Sequence, residues 1–190
     1  MSSSGYWNQR WLEGQTGWDI GYASPAIVEY MRQYPDRAAA ILIPGCGNAY
    51  EAKALADMGF TNITLIDIAP ALVASLREQL KAEPGIRIIC GDFFEHEGLY
   101  DLVLEQTFFC ALDPQLRSRY AAHIASLLKP RGKLAGVLFN CEFEKEGPPF
   151  GGTEQEYRAL FSPLFRIEKM EPCYNSIAPR MGAELFIRLQ

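Results

Sequence analysis

The stretch that decides the fold is Ala39-Ala40-Ile41-Leu42-Ile43-Pro44-Gly45-Cys46-Gly47-Asn48, followed by Ile63-Thr64-Leu65-Ile66-Asp67. Each of its two apolar runs lacks a polar–apolar alternation, which is typical of a strand buried on both faces of a parallel sheet. The segment between them, residues 50–58, has a helical pattern and supplies the crossover. The sequence therefore predicts a strand, a glycine turn, a helix and a second strand that ends at an acid.

The glycine turn and the acid together indicate a nucleoside site. Gly45 and Gly47 let the backbone turn tightly and come close to a ligand, and Asp67 can accept hydrogen bonds from two ribose hydroxyls. Tyr50 stands where a dinucleotide site wants a third glycine, which argues against NAD or FAD. No Gly-Lys-Ser/Thr follows, which excludes a P-loop. The alternative is that the two glycines only close a turn.

Composition and charge limit the function classes. The chain has 190 residues, 48% of them hydrophobic and 22% charged, so we expect one domain over residues 1–190. Its net charge is −5 and it has no run of Lys or Arg, which argues against nucleic acid or a membrane surface as a partner. Neither a signal-peptide pattern nor an apolar run of about 18 residues occurs, so we expect a cytoplasmic protein.

The cysteines and histidines do not suggest a disulfide framework or a metal centre. Five cysteines are an odd number and none has CxxC spacing, so we expect them to be reduced. The two histidines, His96 and His123, are far from any cysteine cluster. We therefore expect no metal.

All three tryptophans lie near the start of the chain, as Trp7, Trp11 and Trp18. Trp7 and Trp11 are four residues apart, so on a short helix they share one face. One interpretation is a hydrophobic plug that seals the core. The other is a lid, residues 1–23, whose aromatic faces attract a cation over a core of residues 24–190. Both interpretations can hold together.

The remaining pattern is a series of βα steps with a terminal hairpin. Apolar periodicity predicts helices that start at Ser24-Pro25, Pro70, Pro114 and a Thr153 capping box, and it places a turn at 129–132. The further strands are expected at residues 86–90, 100–106, 133–140, 165–173 and 184–189. This order indicates an α/β fold with one open sheet.

Several segments carry a family resemblance. The PGCG turn with Asp67 resembles the first two motifs of class I S-adenosylmethionine-dependent methyltransferases. The chain as a whole resembles the thiopurine S-methyltransferase superfamily, and within it the thiol and halide methyltransferases known from plants. The segments that carry this resemblance are Trp7-Asn8-Gln9-Arg10-Trp11, Gly14-Gln15-Thr16-Gly17-Trp18-Asp19, Ile43-Pro44-Gly45-Cys46-Gly47, Gly91-Asp92-Phe93-Phe94, Gln106-Thr107-Phe108-Phe109-Cys110-Ala111-Leu112, Gly147-Pro148-Pro149 and the tail from Pro179 to Glu184.

The resemblance implies a fold and a cofactor. The fold would be a Rossmann-like, seven-stranded, mostly parallel sheet with an antiparallel C-terminal strand, helices on both faces and an N-terminal aromatic lid. The cofactor would be S-adenosylmethionine. The tryptophans would cover it, the two glycines would approach it, and Asp67 would hold its ribose. Asp92 and Phe93 would hold the adenine, although Asp92 could instead form an Asx-turn. Plant members carry a tyrosine at the position of Gln106, which we expect to contact cofactor or acceptor.

The resemblance also implies an in-line displacement at the methyl carbon. A thiolate, bisulfide, thiocyanate or iodide arrives as a nucleophile, so alignment and a dry pocket suffice and no general base is required. Glu105 or Glu142 could serve as a base for a neutral thiol, or both could be solvated loop carboxylates. Phe109 and Arg180 are expected to bind the acceptor, with an ion pair between Arg180 and Glu184 as the alternative.

The sequence also raises three rival functions. Gly147-Pro148-Pro149-Phe150 is similar to the motif of adenine-N6 methyltransferases, but Gly147 has no side chain to bind an amine, and the stretch follows the wrong strand. A cofactor-binding protein without turnover is a second possibility. Methylation of metalloid oxyanions, or of an aromatic thiol such as a thiopurine, is a third. For this protein we expect a small-molecule acceptor and a monomer or weak homodimer.

Overall fold

The computed structural model describes residues 4–145 and 147–190. Seven strands form one sheet in the order β3-β2-β1-β4-β5-β7-β6. The strands are β1 (Ile41–Pro44), β2 (Ile63–Asp67), β3 (Ile86–Cys90), β4 (Tyr100–Gln106), β5 (Leu128–Phe139), β6 (Ile167–Pro172) and β7 (Glu184–Leu189).

Six α-helices and four short 3₁₀ turns connect these strands in the described part of the chain. The helices are α1 (Ser4–Leu12), α2 (Pro25–Arg32), α3 (Tyr50–Asp57), α4 (Pro70–Gln79), α5 (Arg117–Leu127) and α6 (Glu154–Phe161). Within residues 4–145 and 147–190, none of these helices has both the length and the apolar composition needed to cross a bilayer.

The pairing of the strands confirms the predicted sheet. β1 pairs in parallel with β2 and β4, β2 with β3, and β4 with β5. β7 runs antiparallel to both β5 and β6. The strand order reverses between β1 and β4, and in open α/β sheets the crevice outside the carboxyl ends at such a point binds ligands.

Helices cover both faces of the sheet, because successive strand residues point to opposite sides. Ile41 and Ile43 pack on one side with residues of α2, α3 and α4, whereas Leu42 packs on the other with residues of α5 and α6. The β1 run is therefore apolar at every position, as a strand buried on both faces requires.

Three local features test predictions made from the sequence: a capping box, a helix start and a turn. The capping box at Thr153 is confirmed, with Glu156 as its reciprocal partner. The helix start at Ser24-Pro25 is confirmed, with Ser24 at the N-cap of α2 and Pro25 in its first turn. The Ser24 side chain makes no cap hydrogen bond, and its backbone N–H donates to the Glu51 carboxylate at 2.9 Å. The predicted turn at 129–132 lies inside the bounds of β5, because the strand already pairs with β4 at Leu128 before the register breaks.

Candidate functional site

A cavity of about 610 Å³ opens at the carboxyl ends of the parallel strands. We call it the large cavity. Its walls come from the glycine turn after β1, the ends of β2 and β3, the segment after β4, and the segment after β5, with the N-terminal residues along one side. This is the crevice expected at the β1/β4 reversal, and its volume is in the range of small-molecule sites.

The glycine turn forms one wall through two positions with left-handed backbone. Gly45 has φ 56° and Gly47 has φ 50°, which glycine adopts without a steric penalty. A Cβ built on Gly45 would lie 2.3 Å from Cδ2 of Phe108, whereas one on Gly47 would meet only Cζ2 of Trp11 at 3.9 Å. The ring of Phe108 therefore packs directly on Gly45, and the space above Gly47 lies beneath Trp11.

Asp67 ends β2 with its carboxylate on the wall of the large cavity. One oxygen accepts from the backbone N–H of Ala69 at 3.0 Å, and the other accepts from Gly47 at 3.4 Å. Burial raises the pKa of this carboxyl group, and the backbone donors partly offset that rise. The side chain is thus held rigidly beside the glycine turn.

Asp92 and Phe93 follow β3, as predicted, and both line the large cavity. The Asp92 carboxylate accepts from the backbone N–H of Phe94 at 2.8 Å, so the Asx-turn interpretation holds for one of its oxygens. Phe93 is 4% exposed and packs edge-on against His123 with ring centroids 4.7 Å apart. Both residues therefore shape the turn after β3 as well as the cavity.

The three tryptophans lie together beside the large cavity. Trp18 makes edge-to-face contacts with Trp7 at 5.4 Å and with Trp11 at 5.8 Å between ring centroids. The Arg10 guanidinium lies 5.2 Å from the Trp18 ring centroid. Trp7 and Trp11 also pack against the core cluster on the α2–α4 side of the sheet. The same residues thus border the cavity and cover the core.

A polar cluster ties the N-terminal segment to the glycine turn, and the sequence analysis did not single it out. The Asp19 carboxylate accepts from the side-chain amide of Asn48 and, at 3.3 Å, from the Tyr50 hydroxyl. All three residues line the large cavity. Asp19 belonged to a segment that carried the resemblance and Asn48 to the stretch after β1, but nothing in their spacing of 29 residues indicated a contact.

The wall opposite the strand ends β1–β3 is mostly apolar and carries one cation. It includes Phe139, Phe143, Pro148, Pro149 and Arg180. The Arg180 guanidinium donates to the backbone carbonyl of Trp18 at 3.0 Å and lies 3.5 Å from the Glu184 carboxylate. The ion pair with Glu184 is therefore confirmed, and Arg180 also lines the cavity, while its contact with the acceptor stays a prediction.

Gln106 ends β4 on the wall of the large cavity. Its Oε1 is buried and has no hydrogen-bond partner within the described ranges. A buried amide oxygen without a partner is costly, so a ligand donor or water is needed there. This finding fits the expectation that Gln106 contacts a ligand.

Two candidate residues, Glu105 and Phe109, lie elsewhere than the sequence indicated, and a third, Glu142, matches the solvated alternative given for it. Glu105 is fully buried in the core, so the expectation of a solvated carboxylate was wrong for it. Glu142 is exposed, and neither glutamate lines the large cavity. Phe109 is 1% exposed and packs against Tyr120, because the chain turns after β4 and directs Phe108 to the cavity instead. The prediction that Phe109 lines the acceptor site is therefore wrong, and its neighbour Phe108 lines the cavity.

The described residues contain no group of three or more His, Cys, Asp or Glu side chains arranged to hold a metal ion. The cavity carboxylates of Asp67 and Asp92 each accept backbone hydrogen bonds.

Comparison with known proteins supports a methyltransferase. The profile of the family described as thiopurine S-methyltransferase matches residues 2–184. A probable thiol methyltransferase 2 from Arabidopsis thaliana is 30% identical, with 96% of this chain and 83% of that protein covered. A thiocyanate methyltransferase 1 from Brassica oleracea is 29% identical over 95% and 82%. A thiopurine S-methyltransferase from Pseudomonas aeruginosa is 26% identical over 87% and 85%.

Solved structures share the fold. A TehB-like SAM-dependent methyltransferase from Corynebacterium glutamicum is 18% identical with a TM-score of 0.70, covering 98% of this chain and 97% of that chain. A Burkholderia thailandensis 1,6-didemethyltoxoflavin-N1-methyltransferase, solved with S-adenosylhomocysteine, is 18% identical with a TM-score of 0.74, covering 98% and 85%.

Proposed function

The chain belongs to the thiopurine S-methyltransferase family and is an S-adenosylmethionine-dependent methyltransferase, and we propose that its acceptor is a small soft nucleophile. The proposed acceptor class comprises thiols, bisulfide, thiocyanate and halides. The observation that carries this proposal is the Arg180 guanidinium set among aromatic and proline side chains on one wall of the large cavity.

The cofactor would occupy the end of the cavity formed by β1, β2 and β3. Asp67 is oriented to accept from the ribose hydroxyls, and the open space over Gly47 leaves room for the chain of the cofactor to pass close to the backbone. Asp92 and Phe93 would bind the adenine. Trp7, Trp11 and Trp18 would present aromatic faces toward the positively charged sulfur. Gln106 would offer its unpaired oxygen between cofactor and acceptor.

The acceptor would occupy the opposite end. Arg180 offers positive charge, while Phe139, Phe143 and the two prolines exclude water around it. An anion with diffuse charge loses little hydration free energy on leaving water, and it gains electrostatic attraction to a desolvated cation. A strongly hydrated oxyanion would lose more hydration free energy. The wall therefore favours soft anions over hard ones.

The reaction needs no proton transfer when the acceptor arrives as an anion. S-adenosylmethionine supplies a methyl carbon on a positively charged sulfur that leaves as the neutral thioether of S-adenosylhomocysteine. A lone pair of the acceptor forms the new bond to that carbon as the old bond breaks, so charge and electrons balance. The chain supplies alignment and a dry cavity. This fits the absence of Glu105 and Glu142 from the cavity wall.

An aromatic thiol, including a thiopurine, is the second candidate acceptor. Phe139 and Phe143 pack edge-on with ring centroids 5.0 Å apart at the acceptor end, and such a pair can contact an aromatic ring. The relatives include thiopurine S-methyltransferases as well as thiol and thiocyanate enzymes.

The test is S-adenosylhomocysteine release by purified protein with S-adenosylmethionine and parallel acceptors. The panel holds iodide, thiocyanate, bisulfide, an aromatic thiol and a thiopurine. We expect turnover with the small anions. Turnover with aromatic thiols alone would overturn the proposed acceptor class in favour of the second candidate, and no turnover with any acceptor would contradict both.

We further propose that the protein acts in the cytoplasm as a monomer or weak homodimer. The net charge of −5 and the lack of a Lys or Arg run support a small-molecule acceptor over a nucleic acid. Light scattering across a dilution series measures the oligomeric state directly.

A further inference from the structure

The segment after β4, residues 107–112, is a wall of the large cavity with an unusual backbone. Thr107 has φ 56°, a left-handed conformation that a β-branched residue rarely adopts. Phe108 and Leu112 line the cavity, and Phe108 packs on Gly45 of the glycine turn. A strained segment of this kind persists only where surrounding contacts hold it.

The contacts that hold it converge on Glu105. One carboxylate oxygen accepts from the backbone N–H groups of both Phe108 and Phe109, each at 2.8 Å. The other oxygen accepts from the Tyr120 hydroxyl at 2.6 Å. Glu105 and Tyr120 are both fully buried. One side chain thus links α5 to the strained turn through three hydrogen bonds.

Tight packing fixes Glu105 itself. Opposite it on β5 stands Gly136, where a Cβ would lie 2.0 Å from the Glu105 backbone oxygen. A void of about 10 Å³ separates Glu105 from Cys110 and Glu184. The titratable groups that face it are therefore Tyr120, Cys110 and Glu184, the last paired with Arg180.

We propose that Glu105 is a positioning residue: its carboxylate, anchored by Tyr120, holds residues 107–112 in the conformation that puts Phe108 and Leu112 on the cavity wall. The inference rests on the proposed function for its link to acceptor binding. Glu105 would therefore not act as a general base. Its carboxylate would act on the acceptor site through the backbone N–H groups of Phe108 and Phe109.

The proposal has a consequence near neutral pH. Burial raises the pKa of Glu105 to about 7, against the lowering by Tyr120, Phe109 and Phe108. The carboxylate accepts all three hydrogen bonds. The neutral acid accepts from the loop N–H groups more weakly, because a hydrogen bond to a charged acceptor is roughly twice as strong as one to a neutral acceptor. The loop is therefore held less firmly below about pH 7 than above it.

The first test uses the ligand-free full chain and needs no turnover. In ¹⁵N-labelled protein, the amide resonances of Phe108 and Phe109 should move together with a midpoint near pH 7. Glu105→Gln should abolish that titration, and the matched change Glu142→Gln at an exposed position should leave it intact. Amides that do not titrate in the native protein overturn the proposal. A titration that persists in Glu105→Gln belongs to another group and also overturns the proposal.

The second test measures the acceptor KM against pH with thiocyanate, whose charge is constant over this range. In the native protein the KM should rise about 2- to 10-fold as pH falls through the titration, the effect of losing one hydrogen bond, while Glu105→Gln should show a flat profile. Tyr120→Phe removes a donor to the carboxylate and should move the midpoint upward. A KM profile in Glu105→Gln that parallels the native one contradicts the proposal. Absence of turnover with every acceptor would contradict the proposed function and leave the amide result to decide this inference.

Discussion

The two ends of the large cavity are built in different ways. At the end formed by β1, β2 and β3, Gly45, Asp67 and Asp92 each come at the carboxyl end of a strand. At the opposite end, Phe143 and Pro148 lie in the segment after β5, and Arg180 lies in the segment between β6 and β7. The first end is rich in carboxylates and backbone donors, whereas the second is apolar with a cation.

The difference shows which part of a site a sequence can reveal. A parallel sheet aligns the carboxyl ends of its strands at one edge, so any polar residue that follows a buried strand is placed by local pattern alone. The acceptor end depends on how long loops fold over that edge. The loop residues at the acceptor end come together only when the whole chain folds. Loops also vary more between related proteins than strand ends do.

The first prediction tests the contact between Gly45 and Phe108 on the cavity wall. Gly45→Ala combines a left-handed backbone with a Cβ 2.3 Å from Phe108, so we expect a loss of about 3 kcal/mol in unfolding free energy. Gly47→Ala has similar strain but open space, and we expect about 1 kcal/mol. Denaturant unfolding of both variants measures this difference, and equal losses would refute the close contact between Gly45 and Phe108.

The second prediction concerns the buried acid between the ends. The folded pKa of Glu105, about 7, exceeds its ordinary value of 4.5, so the folded state binds the proton more tightly than the unfolded chain. Stability should therefore fall by about 3 kcal/mol as pH rises from 4.5 to 7, through this group alone.

Glu105→Gln should lack that loss. Subtracting the variant's stability curve from the native one isolates Glu105 from Asp67 and Glu51, whose pKa values are also raised by burial. A flat difference curve between pH 4.5 and 7 would show that the acid is not desolvated as the structure indicates.

The third prediction isolates the cofactor end. Asp67→Ala removes the acceptor proposed for the ribose, and we expect cofactor binding to weaken by about 1 to 3 kcal/mol. Asp57→Ala removes an exposed aspartate of α3 that pairs with Lys53, and it should leave affinity unchanged. Calorimetry with S-adenosylhomocysteine measures both variants. Unchanged affinity in Asp67→Ala would mean that the ribose assignment is wrong.

The fourth prediction isolates the acceptor end and has the smallest expected effect. Arg180→Met should raise the KM for thiocyanate about tenfold, because the anion loses a cation that is already shared with Glu184. Since Glu184 is 6% exposed, the double change with Glu184→Gln avoids leaving a buried charge unpaired.

The control for this pair is Arg188→Met, which removes an arginine that pairs with Glu168 on β6. S-adenosylhomocysteine affinity should stay at the native value in the Arg180 variants. A fall in cofactor affinity with an unchanged acceptor KM would reverse the assignment of the two ends.

The positions of the strands along the chain, the glycine turn and the acids after β2 and β3 could be predicted from the sequence. Buried strands, turns and capping boxes are local patterns, and Thr153 with Glu156 shows how far such a pattern reaches. Ser24 shows the limit of such a pattern: its position as the N-cap of α2 follows from the sequence, whereas the hydrogen bond from its backbone N–H to Glu51 on another helix does not.

Residues 105 to 109 show what only the tertiary structure decided. The sequence offers a glutamate and two phenylalanines in a row at a strand end, with no period to say which side chain faces the cavity. The left-handed Thr107 and the bonds from Glu105 to the loop send Phe108 to the cavity and Phe109 to the core. By itself the sequence determined the sheet and the strand-end residues, because these follow from local periodicity. The orientation of the loop side chains required the packing of α5 and β5 around Glu105, which no local pattern encodes.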